Sequence, residues 1–317
     1  MSKSWKGQTV SEMFSTPIVA AQDGSGALHG AWRRPTNLLI KQTYNAGASI
    51  HDDATAQKLG FRGGTIEGPT HFSQLTPLLY HYWGKAWFET GTISANYRSP
   101  SYEGEAVQAL ASLAGDGVAK VAVKKEDGTV VLEGSASIEN AGHTTAVYAK
   151  LQRSTPLRAA RILKGAHVGM RTASRAVIMS SDDNFGALYP FSLREKLQVI
   201  TEPSLWYEEG AATPWGRPLI PVEMVSVLCQ HVAADDPFPI SHPAIGLFAD
   251  QEVKFLRGPL FQNEVYALER ELIALTETPR TECMWIRSRL TCEGVVIAEM
   301  TLNQAFLKAS SPLYQDA

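Results

Sequence analysis

An internal repeat of eight residues constrains what this chain can fold into more than any other feature of its sequence. Residues 98–105 (RSPSYEGE) recur as residues 257–264 (RGPLFQNE), with the arginine, the proline and the final glutamate in register. Each copy follows a stretch with β-like alternation and opens another one. Because the order of elements around the two copies also agrees, the repeat predicts two copies of one structural module.

The first copy predicts one long helix followed by antiparallel strands. Apolar side chains over residues 69–83 recur at helical spacing, a proline stands in the first turn, and Gly84 marks the end. After this helix the periodicity changes to two, and glycine-containing turns separate the last three segments. The predicted strands span residues 37–44 before the helix and residues 92–98, 105–113, 118–125 and 130–139 after it.

The second copy repeats this order with different lengths. It predicts a strand over residues 172–179, a helix over 218–231, and strands over 246–256, 265–275, 283–292 and 295–307. Each copy is therefore expected to be an α+β module in which a curved antiparallel sheet wraps around one helix. The pattern is lost over residues 141–161, which predicts two domains, residues 1–150 and residues 151–317.

The composition excludes several classes of function. A net charge of −3 and a pI near 6.3 give no electrostatic basis for binding nucleic acid. No run approaches the roughly 18 apolar residues of a membrane span, and the first residues lack the apolar core of a signal peptide. Three cysteines without a CxxC spacing fit a reducing compartment. We expect a cytoplasmic protein with no metal, no redox cofactor and no membrane partner.

The residues best suited to chemistry lie directly before the first predicted helix. His51 is followed by Asp52 and Asp53, and the glycine-rich stretch after them ends at Gly68. An imidazole titrates near neutrality, and a helix N-terminus offers free backbone N–H groups. A proton-transferring side chain opposite such donors suits a reaction on a carbonyl compound.

Three segments resemble the hotdog fold and, within it, the MaoC-like hydratases of the R-specific enoyl-CoA hydratase type. The first contains His51, Asp53 and residues 60–64 (GFRGG), and is similar to the family's His-x-Asp…Ala…Gly-Phe-Gly-Gly-Pro segment. The second is Gly68, at the place of the family's glycine before its apolar helix. The third is residues 94–107, similar to the family's strand pair with the pattern aromatic-x-x-Pro-Val-x-x-Gly-Asp-x-Val. The resemblance implies a double hotdog.

The sequence departs from this pattern just upstream of His51. Family members carry an aspartate five residues before the histidine and an asparagine three residues before it. Ala46 and Ala48 stand at those positions, and the spacing from His51 to Gly68 is one residue shorter than usual. The residue that replaces the missing aspartate as acid/base partner is left open.

The resemblance implies that His51, Asp53 and Gly68 are catalytic. His51 would move a proton, Asp53 would orient it or replace the missing aspartate, and the N–H groups near Gly68 would polarise a carbonyl. The expected substrate-binding residues are Tyr44, Asn45, Asp52, Glu67 and His71. Structural alternatives remain: helix starts favour carboxylates and turns favour asparagine, while Glu67 and His71 could also act as substitute acid/base groups.

The second module has no histidine at the place of His51, and Trp206 and Tyr207 lie nearby instead. By resemblance, it is expected to shape the substrate pocket. The implied reaction is reversible addition of water to a 2-enoyl thioester, with an acyl-CoA as the expected small-molecule substrate and a homodimer as one option for assembly. Two alternatives stay open. One is a thioesterase, or a lyase or isomerase of a non-CoA unsaturated carbonyl compound; the other is a non-catalytic acyl-binding protein.

Overall fold

The computed structural model describes residues 3–5, 8–10, 13–21, 25–44, 47–115, 117–139 and 142–315. For residues 3–5, 8–10, 44, 47 and 48 the description covers the backbone alone. In the described ranges no helix is both long enough and apolar enough to cross a bilayer.

The first half of the chain contributes ten strands and four helices. The strands are β1 Lys3–Trp5, β2 Gln8–Val10, β3 Ile18–Ala20, β4 Leu28–Arg33, β5 Thr43–Tyr44, β6 Gly47–Ala48, β7 Thr92–Tyr97, β8 Val107–Gly115, β9 Val118–Lys125 and β10 Val130–Ser137. The helices are α1 Asp53–Lys58, α2 Thr70–Trp83, α3 Ala86–Thr90 and α4 Ala146–Arg153.

The second half contributes eight strands, two α-helices and three short 3₁₀ helices in the described residues. The strands are β11 Thr155–Pro156, β12 Arg175–Ile178, β13 Asn184–Phe185, β14 Tyr189–Ser192, β15 Gly246–Phe255, β16 Val265–Glu277, β17 Thr281–Cys292 and β18 Val295–Leu307. The helices are α5 Leu193–Val199 and α6 Met224–Gln230, and the 3₁₀ helices are Leu205–Tyr207, Lys308–Ser310 and Pro312–Tyr314.

The two halves have the same strand order in one continuous antiparallel sheet. In the first half, β4, β8, β9, β10 and β7 are neighbours in that order. In the second half the corresponding order is β12, β16, β17, β18 and β15. In each half the last strand of this series is the one that follows the buried helix along the chain. The same topology therefore occurs twice.

Strands β7 and β15 pair with each other and join the two halves. Ile93 lies opposite Val253 in this pairing, and both side chains are fully buried. Beside them, the Tyr97 hydroxyl donates to Gln251 Oε1 over 2.8 Å. The junction is therefore part of the hydrophobic core and also carries polar contacts between the halves.

Helix α2 is the centre of the first half. Its first ten residues are all buried, and Phe72, Leu75, Leu78 and Leu79 have no solvent-exposed surface. These spacings of three and four place the side chains along one stripe facing the sheet. The helix continues past Pro77. A long helix at this position was predicted from the sequence, and its observed start lies one residue later.

Two predicted elements were wrong in extent or place. The expected strand over residues 37–44 is mostly a turn, because the Asn37 side chain accepts a hydrogen bond from Leu39 N and fixes a turn over residues 38–41. The strand that starts the first sheet is β4 instead. In the second half the predicted helix over 218–231 is only α6, because Leu219 is bridged to Phe261 and Ile220 N donates to Leu260 O.

We expect Ile93→Ala to lower the free energy of unfolding by about 2–5 kcal/mol, because it removes buried side-chain volume at the junction of the halves. Denaturant unfolding followed by circular dichroism measures this change. The matched control is Ile40→Ala, since the Ile40 side chain is 51% exposed and its loss should change the free energy by less than about 0.5 kcal/mol. Equal effects of the two substitutions would contradict a stabilising junction.

Candidate active site

A loop anchored to the edge of α2 positions His51. Thr65 N donates to Ile50 O over 3.0 Å, and Asn37 Nδ2 donates to His51 O over 3.0 Å. Thr65 in turn forms a β-bridge with Tyr102. These contacts fix the backbone on both sides of His51, so the imidazole is presented from a defined loop.

The half-buried His51 ring has one nitrogen bonded and one nitrogen free. Its Nδ1 lies 2.7 Å from the carbonyl oxygen of Thr65. Because a carbonyl oxygen can only accept, Nδ1 carries the proton and Nε2 offers its lone pair. Burial lowers the pKa of His51 to about 4, although the hydrogen bond to Thr65 opposes this shift. The ring is therefore a neutral base at neutral pH.

Glu67 is a buried carboxyl group without a hydrogen-bond partner for Oε1 among the described residues. Its side chain is 7% exposed. Burial raises the pKa of Glu67 to about 7; the positive charge of Lys196 opposes the shift and the negative charge of Glu223 adds to it. The group can therefore exist as a neutral acid near physiological pH.

Gly68 lies at the N-terminal end of α2, two residues before the helix begins. Its N–H donates to no described carbonyl oxygen, and the cap residue Pro69 provides no side-chain hydrogen bond. A Cβ atom on Gly68 would come within 2.6 Å of the Tyr97 ring, so only glycine fits this close packing. The arrangement leaves backbone N–H groups available to an oxygen atom at the helix start.

One cavity of about 1440 Å³ brings these groups together and extends into the second half of the chain. His51, Glu67 and Gly68 line it from the first half, and Tyr189 lines it from the second. Beyond them the lining becomes largely apolar. The apolar lining residues of the second half include Phe238, Ile240, Phe248, Met284 and Ile286.

His71 also lines this cavity, but hydrogen bonds occupy both of its ring nitrogens. Nδ1 lies 3.0 Å from Gln74 Oε1, and Nε2 lies 3.1 Å from Ser101 Oγ. Burial lowers the pKa of His71 to about 4, although the bond to Gln74 opposes this. The geometry thus gives His71 a structural role in place of the expected contact with substrate.

The two aspartates after His51 do not reach its ring. Asp52 caps helix α1, where its Oδ1 accepts from Thr55 N over 2.8 Å. Asp53 Oδ1 accepts from Gly64 N over 2.7 Å and holds the glycine turn. Neither residue lines the cavity. The expectation that Asp53 orients His51 and that Asp52 binds substrate is therefore corrected, because backbone N–H groups already use both carboxylates.

The two remaining expected residues receive little description. Tyr44 pairs through its backbone with Gly47 in the small sheet of β5 and β6. Asn45 and Ala46 lie outside the described residues. The replacement of the family's upstream aspartate by Ala46 is consequently a statement about sequence alone.

Sequence reasoning missed two charged residues from the second half that lie behind the cavity wall. Lys196 in α5 and Glu223 at the start of α6 are 3% and 2% exposed, with 2.6 Å between Nζ and Oε2. A signal for the lysine exists, because Lys196 falls on the apolar stripe of α5 with Leu193 and Ile200. Nothing local in the sequence connects either residue with Glu67.

Tyr207 occupies the backbone position in the second half that corresponds to His51. Leu219 N donates to Trp206 O over 2.8 Å, as Thr65 N does to the residue before His51. The Tyr207 side chain is 2% exposed and packs edge-on against Phe14, with 6.3 Å between ring centroids. This second position thus holds a packed phenol in place of an imidazole.

Comparison with known proteins places the chain by its fold. The sequence matches no protein-family model and no curated protein. A MaoC domain protein from Chloroflexus aurantiacus J-10-fl, a candidate dehydratase, superposes with a TM-score of 0.54 at 12% identity, over 88% of this chain and 93% of that chain. The double-hotdog protein RV0216 of Mycobacterium tuberculosis gives 0.53 at 8% identity, over 86% and 88%. The chain has a double-hotdog fold, and the predicted α+β class is confirmed.

We expect His51 to be neutral and protonated on Nδ1 at neutral pH, and to take up a second proton only near pH 4. Nitrogen-15 NMR of labelled histidines reports both the tautomer and the midpoint, and His51→Gln identifies the signals. Since the unfolded residue is protonated at the ordinary pKa of 6.5, the contribution of His51 to stability is lost as the pH falls from 6.5 towards 4. A midpoint near 6.5 in the folded protein would contradict the buried geometry.

Proposed function

We propose that the protein is a hydro-lyase that adds water to a 2-enoyl thioester and removes it from a 3-hydroxyacyl thioester, with an acyl-CoA as substrate. One observation carries this proposal. His51 Nε2 and the Glu67 carboxyl group are both unbonded among the described residues, and both face one cavity at the start of α2. Two such groups whose environments push their pKa values apart form an acid/base pair.

In the elimination direction His51 acts as the base. Its Nε2 removes a proton from the carbon next to the thioester carbonyl, and the electron pair moves towards the carbonyl oxygen. The free N–H of Gly68 at the helix start stabilises the negative charge that develops on this oxygen. This step requires a neutral imidazole, which is the form that burial favours for His51.

Glu67 acts as the acid in the same direction. Its protonated carboxyl group transfers a proton to the hydroxyl on the β-carbon as the carbon–oxygen bond breaks, so that water and the enoyl thioester are formed. In the reverse direction the Glu67 carboxylate takes a proton from water while His51 returns one to the α-carbon. Glu67 thereby fills the role left open where the family's aspartate is replaced by Ala46.

The cavity supports an acyl substrate. Its length into the second half, with apolar residues such as Ile240 and Met284, suits a hydrocarbon chain that extends away from His51. The double-hotdog fold shared with a MaoC domain protein agrees with this assignment. The first module then provides the acid/base pair, and the second module shapes the acyl pocket.

We expect His51→Ala and Glu67→Gln each to lower the rate of crotonyl-CoA hydration by about 10²–10⁴-fold, because each removes one proton-transfer group. The loss of enoyl absorbance measures hydration. The matched controls are His167→Ala and Glu126→Gln, both at exposed positions outside the cavity, which should retain the wild-type rate. Full turnover by His51→Ala would overturn the assignment.

We expect the hydration rate to be highest between pH values of about 4 and about 7 and to fall outside that window. The active pair holds one proton, and the pair gains a second as His51 is protonated near pH 4 and loses its only one as Glu67 ionises near pH 7. Both directions of the reaction use this one-proton state, so they share the same limits. A rate that keeps rising above pH 8 would contradict the role of Glu67.

A non-catalytic acyl-binding protein is the second candidate function. The observation that favours it is that Asp52 and Asp53 are engaged by backbone N–H groups and leave His51 without a carboxylate partner. This candidate is distinguished by binding of crotonyl-CoA without hydration. In the same assay, release of free thiol would instead indicate a thioesterase.

A further inference from the structure

A buried ion pair from the second half of the chain lies beside the catalytic turn of the first half. Lys196 Nζ is 2.6 Å from Glu223 Oε2, and both side chains are almost completely excluded from solvent. Burying two charges costs several kcal/mol per ion before their attraction is counted, so a pair of this kind is weak evidence of a purely stabilising role. Its position therefore has to be explained by what it contacts.

Both members of the pair are bonded to the first turn of α2. The Ser73 hydroxyl donates to Glu223 Oε1 over 2.7 Å, and Lys196 Nζ donates to Thr70 Oγ1 over 3.3 Å. Thr70 N in turn donates to Glu67 O over 3.2 Å. The pair is thus attached to the same turn that carries Glu67, although it belongs to the other module.

The charges of this cluster do not balance if Glu67 is ionised. Lys196 and Glu223 neutralise each other, and a carboxylate at Glu67 would add a second buried negative charge with no cation of its own. With Glu67 protonated the three groups sum to zero. The ammonium group is committed to Glu223 by the short contact, which leaves Glu67 as the neutral member.

We propose that Lys196 and Glu223 are positioning residues through which the second module keeps Glu67 in its protonated form for proton donation. This rests on the proposed role of Glu67 as the acid. The catalytic site is then a product of both modules, since the first supplies the reacting groups and the second supplies the charges that set the state of one of them.

The other titratable groups around Glu67 do not replace this pair. Burial raises the pKa values of the phenols of Tyr97 and Tyr189, so both are neutral. The ring of His71 is neutral and bonded at both nitrogens. In the described residues around Glu67, the formal charges are those of Lys196 and Glu223.

The test compares two substitutions that act in opposite directions. Glu223→Gln frees Lys196 to pair with Glu67, so we expect the protonation midpoint of Glu67 to fall. Lys196→Met removes the only cation, so we expect that midpoint to rise. The midpoint is measured from the carboxyl band of Glu67 in infrared difference spectra, identified by its absence in Glu67→Gln. The upper limit of the pH–rate profile should move with it, by tenfold in rate at fixed pH for each pH unit.

The control is the ion pair of Arg194 and Asp182, which also involves α5 but is exposed. Arg194→Met should leave the Glu67 midpoint unchanged. If Lys196→Met alone does not fold because it leaves Glu223 unpaired, the double substitution Lys196→Met with Glu223→Gln serves instead. It should still raise the midpoint, because the effect of Lys196 on Glu67 exceeds that of Glu223.

Unchanged midpoints, or shifts of the same sign in Glu223→Gln and Lys196→Met, would overturn the inference. The infrared measurement needs no turnover, so it separates this inference from the proposed function. A wild-type protein without hydratase activity would refute the function and leave the infrared result to decide the charge arrangement.

Discussion

The antiparallel pairing of β7 with β15 is the constraint on which the rest of the structure depends. It makes one sheet out of two modules and thereby fixes α5 and α6 of the second module against the start of α2. Without that register, Lys196 and Glu223 would not meet Thr70 and Ser73. The cavity beside His51 would also lose the wall that the second module provides. The junction therefore links the stability of the fold to the chemistry of the site.

The site shows how one environment can assign opposite roles to two titratable groups. Burial disfavours the charged form in both cases, so it keeps the His51 imidazole unprotonated and the Glu67 carboxyl protonated. The hydrogen bond from His51 Nδ1 to Thr65 O selects which nitrogen is the base. A base and an acid are thus available together near neutral pH, which elimination of water requires.

Much of the fold could be predicted because local patterns dictate it. The strands over Val118–Lys125 and Val295–Leu307 have the predicted bounds, since alternation and glycine turns define both ends. The strand Leu28–Arg33 was missed because it lacks β-branched residues. The site was less predictable. The positions of His51 and Gly68 followed from a motif, but the capping by Asp53 and the burial of Lys196 depend on contacts between distant segments.

The central claim, that His51 exchanges a proton with the carbon next to the thioester carbonyl, is tested most directly by hydrating crotonyl-CoA in deuterium oxide. The expected product carries one deuterium at the α-carbon in a single stereochemical configuration, because Nε2 delivers it from one side of the cavity. Mass spectrometry and NMR of the product measure its number and position. A product with deuterium on both faces of the α-carbon, or crotonyl-CoA that binds and remains unchanged, would contradict this account.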